Sequence, residues 1–72
     1  MTDEQFKIKL GNKVHDLRKK KDLTLYQLAS LTQAHKSTIM RIERADVSPS
    51  ANLLRRISIA LEVPLTDLVD VD

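Results

Sequence analysis

Seventy-two residues are half of a typical domain, and with no cysteine among them disulfide staples, thiolate metal sites and cysteine nucleophiles are excluded together. Apolar residues at 42% and charged residues at 31% describe a folded chain, and one glycine with two prolines is too few for a turn-rich all-β design. A net charge of +2, and no apolar run near the ~18 residues of a membrane span, leave a small cytoplasmic domain that needs close helix packing or a partner.

Five helices are expected in chain order, and no strand pattern competes with them. The first spans about residues 3–21, with Thr2 or Asp3 as its cap and Phe6, Leu10, Val14 and Leu17 at i, i+4, i+8 and i+11 on one face. Ile8 falls off that stripe and has no assigned role. Asp22 occupies the stop position, where a left-handed residue is often wanted and Asp tolerates it better than most. Thr24 and Gln27 form a T-x-x-Q capping box for the second helix, in which hydroxyl and amide each satisfy an orphan N–H. Leu28 and Ala29 face inward, and that helix ends near Thr32. Only Gln33, Ala34 and His35 separate it from the third, about residues 36–44, whose apolar positions are Ile39 and Ile42. Ser50 caps the fourth, which carries Leu53, Leu54, Ile57, Ala60 and Leu61; Pro64 opens a short fifth with Leu65, Leu68 and Val69.

Two short helices joined by a three-residue turn inside an all-α domain have the spacing of a helix-turn-helix, here about residues 25–44. Ala29 supports this, because a small residue is needed where the following helix crosses close above. A plain helical hairpin is the competing reading. The charge is strongly partitioned. Residues 1–6 carry −2, residues 7–44 hold ten basic against three acidic side chains for +7, and residues 45–72 carry −3. One contiguous basic block is an electrostatic footprint for phosphate, with the acidic tail facing away; a solvated helix face is the bland alternative. Phe6 and Tyr26 are the only aromatics, too few to stack successive bases of a single strand.

The run Leu23-Thr24-Leu25-Tyr26-Gln27-Leu28-Ala29, followed by Lys36-Ser37-Thr38-Ile39-Met40-Arg41-Ile42-Glu43-Arg44, resembles the lambda-repressor/Cro-like helix-turn-helix family of bacterial and phage regulators. Pro49-Ser50, the stretch from Leu53 to Val63 and Pro64-Leu65-Thr66-Asp67-Leu68 are similar to its fourth and fifth helices, and Leu10-Gly11 with Leu17-Arg18 to its first. The resemblance covers roughly residues 8–69. It implies a compact five-helix bundle, usually a two-fold dimer, that binds double-stranded DNA with the third helix in the major groove. Carried over position by position, it puts Lys36, Ser37, Met40 and Arg41 toward the bases. Arg41 and Lys36 can donate to guanine O6 and N7, Ser37 can donate or accept, and Met40 offers only apolar contact. Phosphates would be met by the start of the second helix, through the Thr24 hydroxyl and the backbone N–H of Leu25, with Thr38, His35, Arg44 and Lys21 nearby and Lys19 and Lys20 adding charge. Arg18 and Glu43 occupy the positions of a largely buried ion pair joining the first and third helices.

This chain departs from the family pattern in several places. Leu25 stands where a glutamine often bridges phosphate and recognition helix, so one polar DNA contact is missing. Gln33, Ala45 and Glu62 replace glycines frequent in turns, which implies slightly altered turns, since left-handed conformations there cost ~1 kcal/mol or more. His35 stands where Ser or Thr usually caps the recognition helix, so that cap is expected to be weak.

His15 and His35 lie on different segments with no ligand-spaced partner, so no metal or other cofactor is expected; His15 reads as a surface residue of the first helix. No cluster of convergent polar groups suggests catalysis or a small-molecule site. Leu53 and Ile59 are apolar where the related pattern is polar, and with Leu65, Leu68 and Val71 they suggest a homodimer seam; an extended core is the alternative. With the helices filling the whole of residues 1–72, no separate effector domain is expected. The function expected is a dimeric DNA-binding transcriptional regulator on a palindromic operator. Its rival is a protein-interaction module of the same fold, an antitoxin or adaptor component with weak or no specific DNA binding.

Overall fold

The computed structural model describes residues 1–70. Five helices appear in chain order: α1 Asp3–Lys20, α2 Leu25–Thr32, α3 Lys36–Glu43, α4 Ala51–Leu61 and α5 Leu65–Val69. The all-α expectation holds, and no strand occurs among the described residues. Each boundary has a local cause. Thr2 caps α1 in a full capping box with Gln5, a reciprocal pair that settles the choice between Thr2 and Asp3. Thr24 and Gln27 form the expected box on α2, and the Ser50 side chain accepts from the Leu53 N–H at the start of α4. Pro64 is the cap residue of α5 and lies just outside it.

The helix ends show how this chain manages with few glycines. Asp22, Gln33, Ala45 and Glu62 all take left-handed backbone conformations, with φ between 57° and 64°. At the three turns where glycines are replaced, Gln33, Ala45 and Glu62 therefore take the left-handed geometry themselves. Non-glycine residues carry the strain instead.

The principal packing runs around a ring: α1 on α3, α3 on α2, α2 on α4, α4 on α5, and α5 back on α1. Leu10 and Val14 of α1, Leu28 and Ala29 of α2, Ile39 and Ile42 of α3, Leu53, Ile57 and Leu61 of α4, and Leu68 of α5 fill its centre. Ile8, which had no place in the stripe, is exposed. Leu53 is 7% exposed and Leu68 fully buried, so both belong to this chain's own core and not to a dimer seam. The periodicity of α4 and α5 turns both inward; burial inside the monomer uses the surface that a partner would need.

Gly11 marks the closest approach. A Cβ at this position would stand 2.6 Å from the carbonyl oxygen of Ile42 and 2.8 Å from that of Glu43. The bare backbone of α1 thus seats the C-terminal turn of α3, and no larger residue fits without moving one helix.

Candidate nucleic-acid interface

α3 is amphipathic at helical spacing, and its two faces serve different ends. Ile39 and Ile42 are buried, while Lys36, Ser37 and Arg41 are exposed, Met40 and Thr38 are half-buried, and Arg44 is exposed at the C-cap. The positions expected to face bases therefore lie together on one outward stripe. Among the described residues, no carboxylate pairs with Lys36, Arg41 or Arg44, so their charge is available to a ligand.

The N-terminus of α2 lies beside that stripe. Thr24 Oγ1 accepts from the Gln27 N–H at 3.0 Å, and Gln27 Oε1 accepts from the Thr24 N–H at 2.8 Å. The box leaves the N–H groups of Leu25 and Tyr26 at the helix start without intrahelical acceptors, as at any helix N-terminus. The Leu25 side chain packs against the core, so this residue offers an anion only its backbone. A cleft of about 380 Å³ opens here, where Arg18, Lys19, Thr24, Tyr26 and Lys36 outweigh one carboxylate, that of Asp22. It brings two lysines from separate helices to one helix N-terminus, an arrangement that favours phosphate by charge, dipole and hydrogen bonding together. His35 is exposed and lines a smaller cleft with Tyr26 and Lys36; its side chain makes no cap hydrogen bond, as expected.

Lys21 does not join this group. Its ammonium pairs with the Glu62 carboxylate at the C-cap of α4, and Lys19 is the α1 lysine that reaches the cleft. The Lys21 partner is 41 residues away, beyond any spacing rule. The hydrogen bond from Lys21, reinforced by its charge, holds the Glu62 carboxyl below its ordinary range.

Behind α3, Arg18 and Glu43 form a near-buried, two-pronged ion pair. Arg18 Nε donates to Glu43 Oε2 at 2.7 Å and Nη2 donates to Oε1 at 3.1 Å, while Nη1 donates to the Leu23 carbonyl at 2.7 Å. One guanidinium thereby ties α1, the α1–α2 turn and α3 together. His15 is more than the surface residue expected: Nδ1 lies 3.0 Å from Glu43 Oε1. Its position one turn before Arg18 was the available signal. Tyr26, which sequence reasoning left unassigned, is 71% exposed and borders the clefts on both sides of the α2 N-terminus.

Of the expected seam, Ile59 at 63% and Leu65 at 42% exposure remain on the surface, and Val69 of α5 is exposed as well. Val71 lies outside the described residues. Among the described residues no group of acidic or histidine side chains could hold a metal ion, and no helix is long and apolar enough to cross a membrane.

A five-helix domain in which a short, well-anchored helix turns a basic stripe outward beside a capped helix N-terminus is a helix-turn-helix module. Residues 14–68 match the helix-turn-helix family model, and the chain belongs to that family of transcriptional regulators, which are not enzymes. It is 36% identical over 64 residues to the HTH-type transcriptional regulator SlrR of Bacillus subtilis (strain 168), covering 88% of this chain and 42% of SlrR. Among solved structures, an HTH_3 family transcriptional regulator from Vibrio cholerae superposes with a TM-score of 0.89 at 34% identity, over 99% of this chain and 40% of that one. The restriction-modification controller protein C.AhdI from Aeromonas hydrophila superposes with a TM-score of 0.84 at 26% identity, over 86% of this chain and 94% of its own. This chain thus spans well under half the length of SlrR and of the Vibrio protein.

Proposed function

We propose that this chain is a sequence-specific reader of double-stranded DNA that regulates transcription as a homodimer on a two-fold symmetric operator. One observation carries the reading: the outward stripe of exposed Lys36, Ser37 and Arg41 with half-buried Met40, its cations unpaired, adjoins the cleft of Lys19, Thr24 and Lys36. The stripe enters the major groove. Arg41 and Lys36 address guanine edges, Ser37 adapts to its neighbour, and Met40 meets a thymine methyl. The N–H groups of Leu25 and Tyr26, with Thr24, Thr38, His35, Arg44 and Lys19, hold the flanking phosphates. Ile59, Leu65 and Val69 supply the apolar contact between two copies, which would set their reading helices about 34 Å apart, one turn of DNA. C.AhdI, matched over 94% of its length, is named as a restriction-modification controller protein, which supports the regulatory reading.

A binding selection from random duplex DNA at two salt concentrations tests this reading. The expected result is a two-fold symmetric site whose log affinity falls steeply with log salt. Binding without any enriched sequence would overturn it. Replacing Ile59 and Leu65 together by Glu should yield a monomer in sedimentation with weakened operator binding; an unchanged dimer would remove these residues from the seam. A protein-interaction module is the second reading. It is favoured by the exposed Tyr26 and Leu31, which border an apolar groove on the outer side of α2.

A further inference from the structure

The turn between α2 and α3 has the least local support of any junction around the reading helix. Gln33 holds a left-handed conformation, φ 57°, without being glycine. His35 leaves the start of α3 without a side-chain cap. α2 meanwhile ends inside the fold. Thr32 is fully buried, and its hydroxyl donates to the carbonyls of Leu28 and Ala29 at 2.9 and 3.1 Å. The N–H groups of Gln33 and Ala34 go to the carbonyls of Ser30 and Ala29. This local bonding does not reach the Thr32 carbonyl, which stands at the negative end of the α2 dipole.

One side chain meets it. Arg56, from α4 and 24 residues further along the chain, donates from Nε to the Thr32 carbonyl at 2.9 Å. Among the described residues, no other side-chain hydrogen bond ties α2 or the three-residue turn to another helix. Arg56 lies on neither the reading stripe nor the cleft described above.

We infer that Arg56 is a positioning residue for the recognition helix. Its guanidinium clamps the last carbonyl of α2, fixes a turn that has neither glycine nor cap, and so sets the angle at which α3 meets DNA. The role rests on the proposed reading of α3 as the DNA-facing helix. Arginine suits it because Nε–H is held in the plane of a rigid fork, whereas a lysine ammonium keeps the charge but not the orientation. The bond is also charge-assisted, stronger than one from a neutral donor.

Two readouts on Arg56→Met and Arg56→Lys, in the full chain, test the inference. Amide hydrogen exchange needs no DNA. In Arg56→Met the N–H groups of Gln33 and Ala34 should exchange about tenfold faster than in the parent, with those of Leu10 and Val14 in α1 within about twofold. Arg56→Lys should recover part of that protection. On the selected operator, Arg56→Met should bind about tenfold more weakly with an unchanged salt slope, and non-specific DNA should be bound within about twofold of the parent. A salt slope lowered by about one unit, with the turn amides unmoved, would make Arg56 a phosphate contact and overturn the clamp. Equal acceleration of all core amides would make it a general stabiliser and overturn it too. If the parent enriches no site, the DNA reading fails separately. The turn amides then decide the clamp alone: local acceleration upholds it, and unmoved amides overturn it.

Discussion

The inner and outer faces of α3 come from the same eight residues and are governed by opposite rules. On the inner face Ile39 and Ile42 are fully buried, the backbone rests on Gly11, and Glu43 is gripped by Arg18. On the outer face Lys36, Ser37 and Arg41 are exposed and carry no structural bond. Rigid anchoring behind the helix is what frees the front from structural duty. An exposed stripe so relieved can vary in sequence without cost to the fold.

Glu43→Ala strikes the anchored face most directly. Both side chains of the pair are under a tenth exposed, so the substitution strands the Arg18 guanidinium in a poorly solvated site. A loss of about 3–5 kcal/mol is expected in urea unfolding, which is a large share of a small domain's stability. Arg18→Met combined with Glu43→Leu should recover most of it, since an apolar replacement leaves no unpaired charge. Gly11→Ala attacks the same face from α1. The added methyl meets two carbonyl oxygens at under 3 Å, and backbone cannot rotate aside as a side chain can. A net destabilisation of about 2 kcal/mol is expected despite alanine's better helix propensity, again read by urea unfolding.

Arg41→Ala probes the opposite face. Its stability should stay within about 0.5 kcal/mol of the parent, while affinity for the selected operator falls roughly 10- to 100-fold. A large loss of stability would show that the outer face does structural work after all. Unchanged affinity would remove Arg41 from the reading stripe.

The same division explains what was legible in the sequence. Helix limits were readable because caps are local: Thr24 with Gln27, and Ser50 with the Leu53 N–H, act within one turn of chain. The α3 core residues were readable from spacing, and its outward residues from spacing and chemical type. Contacts set by helix crossing leave no such pattern, and the Arg18–Glu43 pair between α1 and α3 was expected only through the family resemblance. Neither the seat that Gly11 provides nor the bond from Arg56 to Thr32 leaves a periodic trace, because both depend on how two helices meet. Leu53 and Ile59 illustrate the limit most plainly. Both are apolar on α4 and both looked like surface, yet one is core and the other is 63% exposed. The ring of packing decides between them, and α5 closes that ring only in three dimensions.

Turn strain separates the two regions again. Ala45, just after α3, holds φ 64° with no side-chain bond to justify it. Ala45→Gly should stabilise the domain by about 1 kcal/mol in thermal or urea unfolding, since glycine enters this conformation freely and removes only a methyl. A loss of stability would mean that the methyl packs more profitably than the backbone suffers.

The smallest effect concerns the exposed counterpart of the buried pair. Lys21 and Glu62 join the end of α1 to the end of α4 at the surface, and the lysine holds the Glu62 carboxyl below its ordinary value. A lowered folded-state value means that the unfolded chain binds the proton more readily, so the pair contributes stability above the ordinary carboxylate range. That contribution is lost as pH falls through the lowered value. Glu62→Gln should therefore be slightly less stable than the parent at neutral pH, with the difference shrinking in acid. Molar salt should erase it as well, because both groups are open to solvent. Most of the loss in Glu43→Ala should persist in the same salt, since both side chains of that pair are under a tenth exposed and a part-buried pair is screened much less. If the two substitutions responded alike to salt, the Arg18–Glu43 site would be more open than its burial implies, and the anchoring of the inner face would have to rest on Gly11 and the two isoleucines alone.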